Sequence, residues 1–158
     1  MLTTRPLEPR DRTRVTSIVH EVGIFTEDEI RTACELIDAW LNVGEKSDYI
    51  CHVIEDQETV RGYICFGPTP LTDGTFDLYW IAVDPTVHGN GYGQALIGVA
   101  EREVKSRGGR LLVIETASQE AYEGTVRFYQ RAGYELVSRI PDFYRIGDDK
   151  LTYAKRLT

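Results

Sequence analysis

The sequence predicts a single α/β domain over residues 1–158, with a mixed, mostly antiparallel sheet of six to seven strands flanked by four helices. Three observations predict it. Apolar residues recur at helical spacing up to residue 44, and extended apolar runs take over from residue 48. One of those runs, Tyr79-Trp80-Ile81-Ala82-Val83, passes through a glycine-rich loop into a periodic helix. The run Leu111-Leu112-Val113-Ile114 has no polar alternation, which suits a central strand covered on both faces.

Each element has its own signal. Residues 2–8 read as a short first strand ended by Pro9. From Asp11 to Val22, the residues Val15, Ile18, Val19 and Val22 share one helical face. Thr26 followed by Glu29 is a capping box and starts a second helix. Its apolar face is Ile30, Ala33, Cys34, Ile37 and Leu41, and it stops near Gly44. Residues 49–54 and 60–66 form a hairpin turning over 55–58, and residues 76–83 extend it into a meander. A helix begins at about Gln94 and ends at Gly108-Gly109. After the strand 110–116 comes a helix over 120–132, with Gly133 at its C-terminal cap. Two last strands, near 134–138 and 150–156, flank Pro141-Asp142-Phe143-Tyr144.

Composition narrows the function. The net charge of −7, from 18 basic against 25 acidic residues, gives no basic face for nucleic acid. Cys34, Cys51 and Cys65 are odd in number and form no Cys-x-x-Cys pair, so neither a disulfide framework nor a zinc ribbon is expected. His20, His52 and His88 lack metal-ligand spacing, and no metal is expected. The first residues have no apolar signal core, and no run of about 18 apolar residues occurs. The expectation is a cytoplasmic protein with no membrane partner.

The loop Val83-Asp84-Pro85-Thr86-Val87-His88-Gly89-Asn90-Gly91-Tyr92-Gly93 is the most informative stretch. Glycines at alternate positions leave backbone N–H groups open to another molecule. The first N–H groups of the following helix have no intrahelical partner and carry the positive end of its dipole. Together they form an anion site suited to phosphate. Gln94 and Ala95 follow Gly93, so the Gly-Lys-Ser/Thr ending of a P-loop is missing. Gln94 also stands where the dinucleotide fingerprint needs its third glycine.

With its glycine spacing and preceding Val-x-Pro, this loop resembles the acyl-CoA loop of the GCN5-related N-acetyltransferases, whose pattern is Gln/Arg-x-x-Gly-x-Gly/Ala. His88 replaces the usual Gln or Arg. The segment Phe128-Tyr129-Gln130-Arg131-Ala132-Gly133-Tyr134 is similar to the family's Phe-Tyr-x-x-x-Gly-Phe signature. The order of elements matches the family over nearly the whole chain.

The resemblance implies the fold, acetyl-CoA as co-substrate and acetyl transfer to an amine. It implies that Ile81, Ala82 and Val83 bond the pantetheine arm. His88, Gly89, Asn90, Gly91, Tyr92, Gly93 and Gln94 then hold the pyrophosphate. Tyr129 stands at the position of the general acid that protonates the leaving thiolate. A carboxylate six residues ahead of Val83 serves as base in one branch of the family, and that position is Asp77. Glu115 on the next strand is the competing carboxylate. Tyr122 stands where many relatives place an Asn against the cofactor arm. Relatives often dimerise through their last strands, which makes a second copy an implied partner.

Acceptors in this family approach between the first two helices and the middle and last strands. The matching segments here offer Phe25, Phe76, Tyr79, Trp80, Phe143 and Tyr144 with Glu21, Glu27, Asp28, Asp73 and Asp142. Such a lining suits a primary amine of a small molecule or amino acid. A protein N-terminus or lysine as acceptor, and a non-catalytic acyl-CoA-binding regulatory module, are the alternatives.

Overall fold

A computed structural model describes residues 1–158. Strand β1 (Leu2–Pro6) leads to helices α1 (Arg12–Val22) and α2 (Glu27–Val43). Strands β2 (Ile50–Asp56), β3 (Thr59–Pro68) and β4 (Thr75–Val83) follow. Then come α3 (Tyr92–Ser106), β5 (Leu111–Ala117), α4 (Glu123–Arg131), β6 (Glu135–Arg145) and β7 (Asp148–Arg156). The strands form one seven-stranded sheet in the order β1-β2-β3-β4-β5-β7-β6. Only β4 and β5 run parallel; every other pair is antiparallel.

The local signals act as their chemistry requires. Thr26 Oγ1 accepts from the Glu29 N–H at 3.2 Å, and Glu29 Oε1 accepts from the Thr26 N–H at 3.0 Å. Such a reciprocal cap is worth about 1 kcal/mol. Helix α1 buries Val15, Ile18 and Val19, and α2 buries Ile30, Ala33 and Ile37. Trp40 extends the buried face of α2, where Cys34 and Leu41 are only half-buried. Its indole N–H donates to the Leu7 carbonyl at 2.8 Å and ties α2 to the chain after β1.

Several boundaries differ from the sequence expectation. β1 stops at Pro6, and Pro9 opens a short 3₁₀ turn. The β2–β3 turn tightens to Gln57-Glu58, both with positive φ. Helix α3 begins at Tyr92 because Gly91 (φ 86) already serves as its N-cap. Residues 120–122 form a separate 3₁₀ turn before α4. Pro141–Tyr144 lies inside β6, where it bulges away from β7 between the pairs Ile140↔Lys150 and Arg145↔Asp148. Pro141 has no N–H to give a ladder, which fits its place at the free edge of the sheet.

Two irregularities in β4 shape the site. Cys65 pairs with Trp80 and Phe66 with Leu78, so Tyr79 is left without a partner as a β-bulge. A bulge re-aims the side chains beyond it. On the other side, β4 pairs with β5 only over Thr75–Leu78 and Leu111–Ile114. Past Leu78 the two strands part. No helix is long and apolar enough to cross a membrane.

Candidate active site

The parting of β4 and β5 opens a cavity of about 1160 Å³. Small-ligand sites span roughly 300–1,000 Å³, so there is room for a long co-substrate and a small acceptor. At one end stand Tyr79–Val83 and the glycine loop; at the other, the start of α2, the end of β5 and the β6–β7 hairpin. Along β4 the edge facing β5 is unpaired from Tyr79 to Val83, so its main-chain groups can bond an extended ligand as a strand would.

The loop is shaped for an anion. Gly89 and Gly91 have φ of 81° and 86°, and a Cβ added to either would meet open space. Glycine reaches that conformation without steric cost. The first N–H of α3 to reach a backbone acceptor is that of Ala95, 3.1 Å from the Gly91 carbonyl. The N–H groups of Tyr92, Gly93 and Gln94 are thus free for a ligand. Gly93 has a second reason to be glycine: a Cβ there would stand 2.9 Å from Phe128 Cε1.

Three side chains of the loop hold it in place. His88 Nε2–H donates to the Val83 carbonyl at 2.7 Å and fastens the loop to the end of β4. Asn90 is the one predicted loop residue outside the cavity lining; its Nδ2 donates to the carbonyls of Val87 and His88. The Tyr92 phenol donates to Asp56 Oδ2 at 3.2 Å, so only its backbone serves the loop. Asp84 anchors the chain from below. Its carboxylate accepts from Arg14 at 2.6 Å, Arg61 at 3.1 Å and the Thr86 N–H at 2.9 Å. Burial alone would raise its pKa, but these donors outweigh burial and hold it at about 2.

Tyr129 lines the cavity from α4 and is 4% exposed. Burial pushes its pKa well above the ordinary tyrosine value, and its hydroxyl has no partner within the protein. Asp77 and Glu115 also line the cavity. Asp77 Oδ2 accepts from Thr69 Oγ1 at 2.7 Å, whereas Glu115 pairs with Lys150 at 3.2 Å. Tyr122 lines it too, and its hydroxyl reaches across to Glu29 Oε2 at 3.5 Å. Burial, then Glu29, pushes Tyr122 up to about 12.

The predicted acceptor lining needs correction. Phe25, Tyr79, Trp80 and Tyr144 face the cavity; Phe76 packs inside against Gly109, and Phe143 lies outside under Lys150. None of Glu21, Glu27, Asp28, Asp73 and Asp142 lines it. Glu21 and Asp28 pair with Arg14 and Arg31, and Asp142 accepts from the Gly147 N–H. The acidic lining is instead Glu29, Asp77, Glu115 and Asp148. Glu29 carried a signal, the capping box, but that signal spoke only of helix start. Asp148 sits at a hairpin end, a place that sequence periodicity does not mark.

Comparison with known proteins agrees with this geometry. The model of the acetyltransferase (GNAT) family matches residues 17–134. A crystal structure assigned to the GNAT family, from Desulfovibrio desulfuricans, is 39% identical, with a TM-score of 0.96 and full coverage of both chains. The chain therefore belongs to the GNAT acetyltransferase family. Two more distant structures share the fold. An aminoglycoside 6′-N-acetyltransferase solved with coenzyme A is 17% identical (TM-score 0.79, covering 99% of this chain and 97% of that one). YncA from Salmonella typhimurium, with its cofactor acetyl-CoA, is 22% identical (TM-score 0.76, covering 99% and 94%). No curated protein matches the chain at a significant level.

Proposed function

We propose that this chain is one cytoplasmic N-acetyltransferase domain that moves an acetyl group from acetyl-CoA to a primary amine of a small molecule or amino acid. One observation carries the reading: a single cavity joins the open glycine loop, the unpaired edge of β4, Tyr129 and an acidic, aromatic chamber. Acetyl-CoA supplies an acetyl group activated as a thioester. The N–H groups at the start of α3 would hold its pyrophosphate, and Tyr79–Val83 its pantetheine amides. Asp77 takes a proton from the incoming ammonium, because a protonated amine has no lone pair for attack. Tyr129, kept protonated by burial, gives a proton to the departing thiolate. Glu115 is less suited as base, since Lys150 already neutralises it.

The test is thermal unfolding with and without acetyl-CoA. At 100 times the dissociation constant a ligand of the folded state adds about 2.7 kcal/mol, or several degrees for this length. Thiol release with a panel of amines then reads turnover. No shift with acetyl-CoA would remove the reading.

A second copy of the chain is the protein partner we propose. β6 is the free edge of the sheet, and Leu136, Val137, Ile140 and Phe143 are exposed along it. An exposed apolar edge of this kind marks an association surface. Light scattering should give twice the chain mass, and Val137→Glu should return the monomer.

A further inference from the structure

Asp77 sits where β4 is still held on both sides. It pairs with Gly67 of β3 and Val113 of β5, one residue before Leu78↔Ile114, the last pair before the strands part. The sheet thus fixes its backbone beside the cavity that it lines. The sheet does not fix its carboxylate. The torsion that turns an aspartate carboxylate is broad and weakly preferred. Gly67, the residue opposite on β3, has no side chain to restrain it.

Thr69 supplies the restraint. It lies one residue past the end of β3, and its Oγ1 donates to Asp77 Oδ2 at 2.7 Å. At that length a hydroxyl on a carboxylate is a charge-assisted bond, stronger than one between neutral groups. It is the one hydrogen bond of this carboxylate, and Oδ1 has no protein partner. Thr69 is itself anchored. Its N–H donates to the Thr75 carbonyl at 2.9 Å, and its carbonyl accepts from Thr72 Oγ1 at 2.8 Å. In the same loop the Gly74 carbonyl accepts from the N–H groups of Arg110 at 2.8 Å and Leu111 at 3.2 Å, at the start of β5. The loop is therefore tied to both strands that part to form the cavity. Thr69 does not line that cavity, so its route to a substrate runs through Asp77.

We propose that Thr69 is a positioning residue for the base: its hydroxyl holds Asp77 Oδ2 so that Oδ1 meets the incoming ammonium. The N–H bond of the ammonium breaks with its electron pair left on nitrogen, and the proton bonds to Oδ1. Thr69 keeps its own proton. This rests on the acetyltransferase reading with Asp77 as base, and extends it to the loop between β3 and β4.

The experiment measures thiol release from acetyl-CoA with propylamine, 2-phenylethylamine, 1,4-diaminobutane and glycinamide, and carries the fastest of them into the variants. Thr69→Val keeps the shape and removes the hydroxyl. Its kcat should fall about tenfold to a hundredfold, the cost of a misplaced reacting group, while the KM for acetyl-CoA stays within about twofold. Thr69→Ser keeps the hydroxyl and should hold kcat within about threefold of wild type. In Asp77→Asn, whose own kcat should fall by about a hundredfold or more, Thr69→Val should change kcat by less than about twofold. A merely structural role would lower Tm in Thr69→Val without making the loss of kcat depend on Asp77. A wild-type kcat in Thr69→Val overturns the proposal. So does a loss in Thr69→Ser as large as in Thr69→Val, or an equal loss from Thr69→Val with and without Asp77. If Asp77→Asn keeps the wild-type kcat, the base and its positioning residue fall together, while thiol release leaves the acetyltransferase reading standing. Turnover of none of these amines by the wild type also overturns the proposal, and the shift of Tm with acetyl-CoA then decides separately whether the cofactor site stands.

Discussion

Gly93 of the glycine loop lies directly against the ring of Phe128 on α4, so close that a Cβ at residue 93 would stand 2.9 Å from Cε1 and 3.0 Å from Cζ. This contact joins the two motifs of the site. The helix that presents free N–H groups and the helix that presents Tyr129 are set against each other at one point without a side chain. Gly93→Ala should therefore move Phe128, and with it the next residue, Tyr129. We expect a loss of about 1–3 kcal/mol, as for an overpacked core. Phe128→Leu in the same chain should recover part of it, a coupling that a double-mutant cycle in urea would measure. Equal losses with and without the Leu would mean that the contact is not what makes residue 93 a glycine.

Tyr129 should be needed for turnover and dispensable for folding. Its hydroxyl has no protein partner, so Tyr129→Phe should leave Tm nearly unchanged. General acids contribute about 10²–10⁴-fold, and kcat should fall by that order while acetyl-CoA affinity holds. The sign of its pH effect follows from burial. A phenol whose pKa is raised stays protonated beyond the ordinary value of about 10. The wild-type rate should thus show no alkaline fall below that pH. A kcat within threefold of wild type in Tyr129→Phe would place the acid elsewhere.

How much of this site could be read from the sequence depends on the range of the interactions. That the glycine loop and Tyr129 share one cavity was legible because each sits in a contiguous motif. The capping box at Thr26 and Glu29 was legible for the same reason. The bulge at Tyr79 was not, since it exists only as a mismatch between β3 and β4. Nor was the acidic lining. Glu29 meets Tyr122 across 93 positions, and Asp148 meets Ser118 across 30. Acids such as Asp28 in the first turn of α2 and Asp142 in the bulged part of β6 satisfied the composition but are turned to local partners instead.

Asp84 should make stability fall in acid. Its folded pKa of about 2 lies below the ordinary 3.8, because Thr86, Arg61 and Arg14 overcome the cost of burial. A group lowered on folding stabilises the protein above its unfolded pKa. That contribution, about 2 kcal/mol, is lost as the pH falls from about 4 toward 2. Denaturant titrations between pH 6 and 2 should show the loss in the wild type and a flatter profile in Asp84→Asn. Asp84→Asn should also be less stable at pH 7, because Arg61 then loses its carboxylate and Arg14 keeps only the longer contact to Glu21. A parallel pH dependence in the two proteins would assign the acid sensitivity to other carboxylates.

Thr116→Val should stabilise the protein. The Thr116 hydroxyl is buried without a partner, and such a group costs about 1–3 kcal/mol relative to an apolar atom in its place. Valine has the same shape without that cost, so Tm should rise by a few degrees for a chain of this length. Thr116→Ser is the contrasting change: it keeps the hydroxyl, loses a buried methyl and should lower Tm. A Tm unchanged or lowered in Thr116→Val would mean that the hydroxyl is satisfied in solution and costs the fold nothing.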